Sequence, residues 1–255
     1  MKKPMVAAVA IIALFGAAKF NFEQHLAEEH RAAYFHGAKL NLNMRQQIGQ
    51  IGFLAALSGF RSVVADYLWV EAHIIWERVE WGRMALLFNN VTALEPRNVM
   101  FWDMSAWFMG YNASNFAIRN PKEPRLALRI KAQREYFKMA EDFLLRGIEN
   151  NPDRYKLYED LATLYKEKFD DHYKAFEYYD KAAQFPDSPS YEKRFAAYQL
   201  SYSPGHEQEA YERLVKLYKT GENEWLPTLL ERLNFLQEKL NVPSGQRVYT
   251  PPSQK

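Results

Sequence analysis

Three clusters in this chain carry side chains able to do chemistry. Asp66, Glu71 and His73 come first. Asp66 and His73 fall on one face of a helix, the start of a metal site, but Glu71 points away from that face. No second His follows at helical spacing, so a ligand set is missing. Asp170-Asp171-His172 is the second cluster. Acidic residues at the opening of a helix accept from its free backbone N–H groups, so this reads as a cap. Asn112-Ala113-Ser114 matches an N-glycosylation acceptor, a motif short enough to recur by chance. The chain has no glycine-rich phosphate loop, no nucleophile elbow and no His-Glu-x-x-His pair. It has no cysteine, which excludes disulfides, thiolate metal sites and a catalytic thiol. The expectation is no catalytic residue, no metal and no cofactor. An enzyme with an unrecognised site in an aromatic groove is the less favoured alternative.

The elements that would position such residues are helical. Three prolines punctuate the middle of the chain. They read "TALEP" at Pro96, "IENNP" at Pro152 and "AAQFP" at Pro186, each closing a helical stretch rich in aromatic and small residues. Pro152 and Pro186 are 34 residues apart, and Pro96 and Pro152 are 56 apart, which is 34 plus 22. Strand signals are short and broken by proline, so the fold class expected is all-α.

The segment Tyr158-Glu159-Asp160-Leu161-Ala162-Thr163-Leu164-Tyr165, followed by Ala175, Tyr179, Ala182 and Pro186, resembles the tetratricopeptide repeat family. Tyr stands for the family's Trp and Ala for its Gly. One residue is inserted between the helices, at Phe169–Tyr173. Leu68, Ala72 and Ile75, then Met84, Phe88 and Val91, repeat the pattern before Pro96. Trp102 and Ala106, then Ala140, Leu144 and Gly147, repeat it before Pro152, with the extra residues placed near 112–129. A fourth unit has Ala197, Ala210, Leu214 and Leu217 in the small and apolar places. The resemblance implies about four helix-turn-helix units over 62–221, stacked as a solenoid with a concave face for another polypeptide. It places the inner face at Asp66, Trp69, His73, Trp76 and Glu77 in the first unit. The second unit contributes Asp103, Trp107 and Tyr111, and the third Lys156, Glu159, Thr163 and Lys166. The members that clamp a carboxylate use Lys and Asn there, so Trp69, His73, Asp103, Trp107 and Thr163 argue against that version.

The ends have their own chemistry. Lys2-Lys3 precede the apolar run Met5–Ala18. That is an export signal, read as an uncleaved anchor over 1–22 with Lys19 reaching the headgroups. Cleavage after Gly16-Ala17-Ala18, releasing the chain to the periplasm, is the alternative. Residues 23–61 follow as a helical linker and N-terminal cap. The apolar stretch Ile48–Phe60 there is too short to span a bilayer. Leucines at 226, 229, 230, 233, 236 and 240 mark a capping helix over 222–241, and 242–255 is expected to be disordered.

Charge is nearly balanced, with 33 basic and 31 acidic side chains, so nucleic acid is not an expected partner. The basic run from Lys122 to Lys138 reads as a solvated helix face. The function expected is a membrane-anchored interaction scaffold or assembly factor on the outer face of a bacterial inner membrane. Its partner would be a protein or peptide, in a membrane complex. A permanent small subunit of a larger membrane complex is the alternative.

Overall fold

A computed structural model describes residues 59–251. The expected anchor, the linker up to residue 58 and the end of the tail from residue 252 lie outside the described residues. No helix among the described residues is long and apolar enough to cross a membrane.

The described chain is all-α and runs as four helical hairpins and a closing helix. The first hairpin is α1 (Arg61–Glu77) and α2 (Trp81–Leu94). The second begins with α3 (Val99–Trp107), continues through a π-helical turn (Phe108–Ala113) into α4 (Ser114–Arg119), and returns along α5 (Leu126–Asn150). The third is α6 (Tyr155–Leu164), a second π turn (Tyr165–Phe169) and α7 (His172–Ala182). The fourth is α8 (Tyr191–Ser201) and α9 (Glu207–Thr220). The closing helix is α10 (Pro227–Lys239). Each hairpin packs within itself, and its second helix packs on the first helix of the next.

Local chemistry explains the boundaries. Asn98 caps α3 by accepting from the Met100 N–H at 3.1 Å. Asp171 caps α7 by accepting from the Lys174 N–H at 3.0 Å, as the acidic turn suggested. The residue inserted near Phe169 is absorbed by the π turn before it. Asp170 then takes a left-handed conformation (φ 54°) and ends the helix. The additional length near 112–129 is not a loop. It lengthens both helices of the second hairpin, leaving only residues 120–125 between them.

Small residues set the helix spacing. Ala72, Ala106, Ala140, Ala162, Ala175 and Ala210 are all buried. A Cβ on Gly147 would come 2.9 Å from the Trp102 Cβ, and one on Gly110 would come 3.0 Å from the Ala140 Cβ. These helices cross more closely than a methyl group permits. One core runs from Ala72 to Leu236 and takes in α10 through Leu229, Leu233 and Leu236.

The tail corrects the expectation of disorder for 242–251. The Gln237 side chain on α10, wholly buried, accepts from the Val248 N–H at 2.9 Å and donates to the Tyr249 carbonyl at 2.7 Å. That amide gives the extended tail the partner a sheet would supply, and Val248 and Tyr249 pack against the core.

Candidate functional site

The first helices α1, α3, α6 and α8 carry the residues expected on an inner face. The structure divides those residues into an aromatic group, a polar link and a carboxylate group.

Trp76 and Trp107 form the aromatic group. Both rings meet Phe108 edge-on, at 5.9 and 5.1 Å between centroids. Trp76 is 41% exposed and Trp107 is 44% exposed, so both indoles present a free face. Phe108, the buried ring that joins them, was not among the residues expected. Trp69 is different. It lies against Phe88 and Phe101 at 5.3 and 5.1 Å and packs on the core, because its helix face turns toward α2 and α3. It is partly buried, with its ring packed among these aromatics. His73 is half-buried, with its Nδ1 at 2.9 Å from the Trp69 carbonyl and its ring edge-on to Phe108. Asp66 and Glu77 are exposed.

Two residues on the π turns form the polar link. The Tyr111 hydroxyl donates to Glu167 Oε2 at 3.0 Å, and the Lys168 ammonium lies 3.9 Å from the Tyr111 ring centroid. Burial and the Glu167 charge hold the Tyr111 hydroxyl well above the ordinary phenol range. Lys166 pairs with Glu167 at 3.3 Å. Thr163 bonds the Tyr179 hydroxyl of α7 at 2.8 Å.

The carboxylate group is the most unusual feature. Asp103 on α3, Glu159 and Asp160 on α6, and Glu192 on α8 converge around one ammonium, Lys156. The Lys156 Nζ donates to Asp160 Oδ1 at 2.6 Å and to Glu159 Oε2 at 3.3 Å. The Tyr191 hydroxyl donates to Glu159 Oε1 at 3.1 Å. Asp160 Oδ2 and both Glu192 oxygens are buried and receive no hydrogen bond. Burial first, then the neighbouring acids, raises Asp103, Asp160 and Glu192 above the usual carboxylate range, and Glu192 is pushed up to about 8. Asp103, Asp160 and Glu192 therefore favour holding a proton.

Asp103, Lys156 and Glu159 were expected on this face. Asp160 and Glu192 were not, although the repeat register carries a signal for Glu192. Trp102, Tyr158 and Glu192 each stand six residues after a proline (96, 152 and 186). Ala106, Ala162 and Ala196 follow four residues on, all buried. Glu192 thus stands where the two earlier hairpins have an aromatic residue, and Ala196 keeps the spacing of the small residue beside the expected Ala197, which is also buried.

The arrangement has no nucleophile paired with a base, and no three His, Asp or Glu side chains among the described residues form a metal set. It can bind: apolar ring faces lie one turn from concentrated negative charge along α3. No family model matches the chain, and no curated protein or solved structure matches it.

Proposed function

We propose that the chain is a tetratricopeptide-type scaffold that holds a partner polypeptide across the face formed by α1, α3, α6 and α8. In this reading its N-terminal segment anchors it in a bacterial inner membrane, with the hairpins on the outer side. The observation that carries the binding role is the run Asp103, Trp107, Tyr111 along one helix. There a half-exposed indole sits between a half-buried acid and a tyrosine tied to the next hairpin. Half-exposed Trp and Tyr beside fixed polar groups suit a peptide, because such rings bury much area while losing little side-chain entropy. The recurring proline and small-residue places support the repeat assignment. The Lys2-Lys3 and Met5–Ala18 pattern supports the anchor.

The test is photo-crosslinking in native membranes from a benzoylphenylalanine placed at Trp107. Capture of a defined partner is expected there and not from the same group at Glu149 on α5. Equal capture from both positions, or none from Trp107, removes the groove from consideration.

One observation favours a permanent subunit instead. Val63, Tyr67, Val70 and Ile74 form an exposed apolar stripe on α1. A stripe of this kind suits the larger and more apolar contact of an obligate complex. Loss of that partner from an uncrosslinked sample in mild detergent would speak for the transient scaffold.

A further inference from the structure

The cluster of Asp103, Glu159, Asp160 and Glu192 has more acceptors than its own chain satisfies. Four carboxyl groups from three helices face one ammonium, giving a formal excess of three negative charges. Donors are already committed. Lys156 serves one oxygen of Asp160 and one of Glu159, Tyr191 serves the other oxygen of Glu159, and Thr163 and Tyr179 serve each other. The nearest guanidinium on α8, Arg194, is turned to Glu224 at 3.1 Å. Glu192 is wholly buried, and neither its oxygens nor Asp160 Oδ2 receives a bond from a nitrogen or hydroxyl donor of the chain, so they bond only by sharing a proton with the neighbouring acid. Burying a carboxyl group without a donor is costly, and leaving several together is more so. In the free chain shared protons hold the cluster together, and a cation from outside can take their place.

We propose that this cluster is the subsite for a basic side chain of the partner polypeptide, a guanidinium foremost. The inference rests on the scaffold reading above and names the chemistry of its partner. Arginine offers five N–H donors in a planar fork, which suits three free carboxyl oxygens contributed by two helices. Entry is open at Lys156, whose side chain is 46% exposed, while Glu159 and Asp160 sit deeper. The incoming cation takes the place of the Lys156 ammonium, which swings to solvent. Trp107, one turn along α3 from Asp103, is placed for the apolar residue beside that arginine.

Binding is linked to protons. The groups facing the cluster are Asp103 from α3, Tyr111 from the π turn, Lys156, Glu159 and Asp160 from α6, Glu167 from the second π turn, Tyr179 from α7, and Tyr191 and Glu192 from α8. A cation favours the ionised carboxylates, so protons leave as it enters and affinity rises with pH.

The test uses the full chain in mild detergent. It compares two fluorescent heptapeptides of alternating leucine and arginine, one of which has citrulline in place of arginine. Citrulline keeps the shape and removes the charge. At about pH 9 the arginine peptide is expected to bind about tenfold tighter or better. That preference should shrink at about pH 5 and disappear in a Glu159→Gln, Glu192→Gln double variant. Lys156→Ala should retain or increase it. Neutral glutamines relieve repulsion, so the double variant keeps its fold, which its melting curve checks. Equal binding of the two peptides, binding of neither, or a preference that survives the double variant overturns the inference. Crosslinking from Trp107 separates this from failure of the scaffold reading. A partner captured there without arginine preference leaves the groove standing and removes the subsite alone.

Discussion

The indole N–H of Trp102 donates to the carbonyl of Pro96 at 2.9 Å. One hairpin later the Tyr158 hydroxyl donates to the carbonyl of Pro152 at 3.1 Å, again six residues on. The proline therefore does more than end a helix. Its carbonyl accepts a bond from an aromatic side chain at the start of the next helix and so ties the turn to that helix. At Pro96 the buried Asn151 amide adds a second donor at 2.8 Å, tying the start of the second hairpin to its end. Trp102→Phe keeps most of the ring and removes the bond. It should cost about 1–3 kcal/mol, because a buried acceptor loses a donor. Tyr158→Phe, in a less buried place, should cost about 0.5–1.5 kcal/mol. Chemical denaturation of both variants measures the difference, and a larger loss at Tyr158 would contradict the burial order.

Helix crossings give the second expectation. Gly147→Ala puts a methyl against the Trp102 Cβ, which belongs to a wholly enclosed side chain that cannot step aside. Ala162→Leu overfills the crossing of α6 with its neighbours. Each should cost about 1–3 kcal/mol, read as a lowered denaturation midpoint. Gly82→Ala, which meets nothing, should stabilise α2 by up to about 1 kcal/mol and serves as the control.

The tryptophans should separate by role. Trp107→Ala and Trp76→Ala, both on the exposed side of Phe108, should leave stability within about 1–2 kcal/mol of the parent. Each should weaken partner binding by about 2 kcal/mol or more. Trp69→Ala should instead cost about 3–5 kcal/mol of folding free energy, since its ring fills space between Phe88 and Phe101. Thermal melts and a binding titration on the same samples settle the assignment. Trp107→Ala that melts as low as Trp69→Ala would place Trp107 in the core.

The carboxyl cluster makes stability depend on pH in a defined direction. Glu192 rises from an ordinary 4.5 to about 8 in the folded chain. Between those values the folded state holds a proton that the unfolded state has released. This contribution is fully present below about pH 4.5 and is lost as pH rises through about 8. The Asp103–Asp160 pair acts in the same direction. Glu192→Gln removes the titrating group. Its melting temperature should exceed the parent's at about pH 9, with the gap closing toward about pH 5. A gap of the same size at both ends of that range would show that Glu192 does not titrate in the folded chain.

Membrane orientation is tested by reporters fused after Leu40. An enzyme active only after export should work there, and one active only in the cytoplasm should not. Cytoplasmic activity would reverse the orientation. A soluble product starting at Lys19 would decide for cleavage.

Much of the helical pattern could be read from the residues because its causes are local. A proline lacking an N–H, an alanine recurring at each crossing and an aspartate opening α7 act within a few residues of themselves, so their spacing carries the hairpins and their boundaries. The tertiary structure decided what those faces meet. Trp69 and Trp107 have the same side chain and lie on the first helices of successive hairpins, three residues before Ala72 and one after Ala106. One is packed and the other half-free because α2 and α3 close over the first while the second faces outward past Phe108. The tail is held because Gln237, an ordinary polar residue of an amphipathic helix, is buried where its amide can pair with Tyr249. Glu192 shows the same dependence. Its distance from Pro186 puts it where earlier hairpins have an aromatic residue, but its meeting with Glu159 arises from the packing of α8 against α7, which brings the first turn of α8 beside α6. Burial and charge proximity are properties of helices brought together from far along the chain, and no local spacing encodes them.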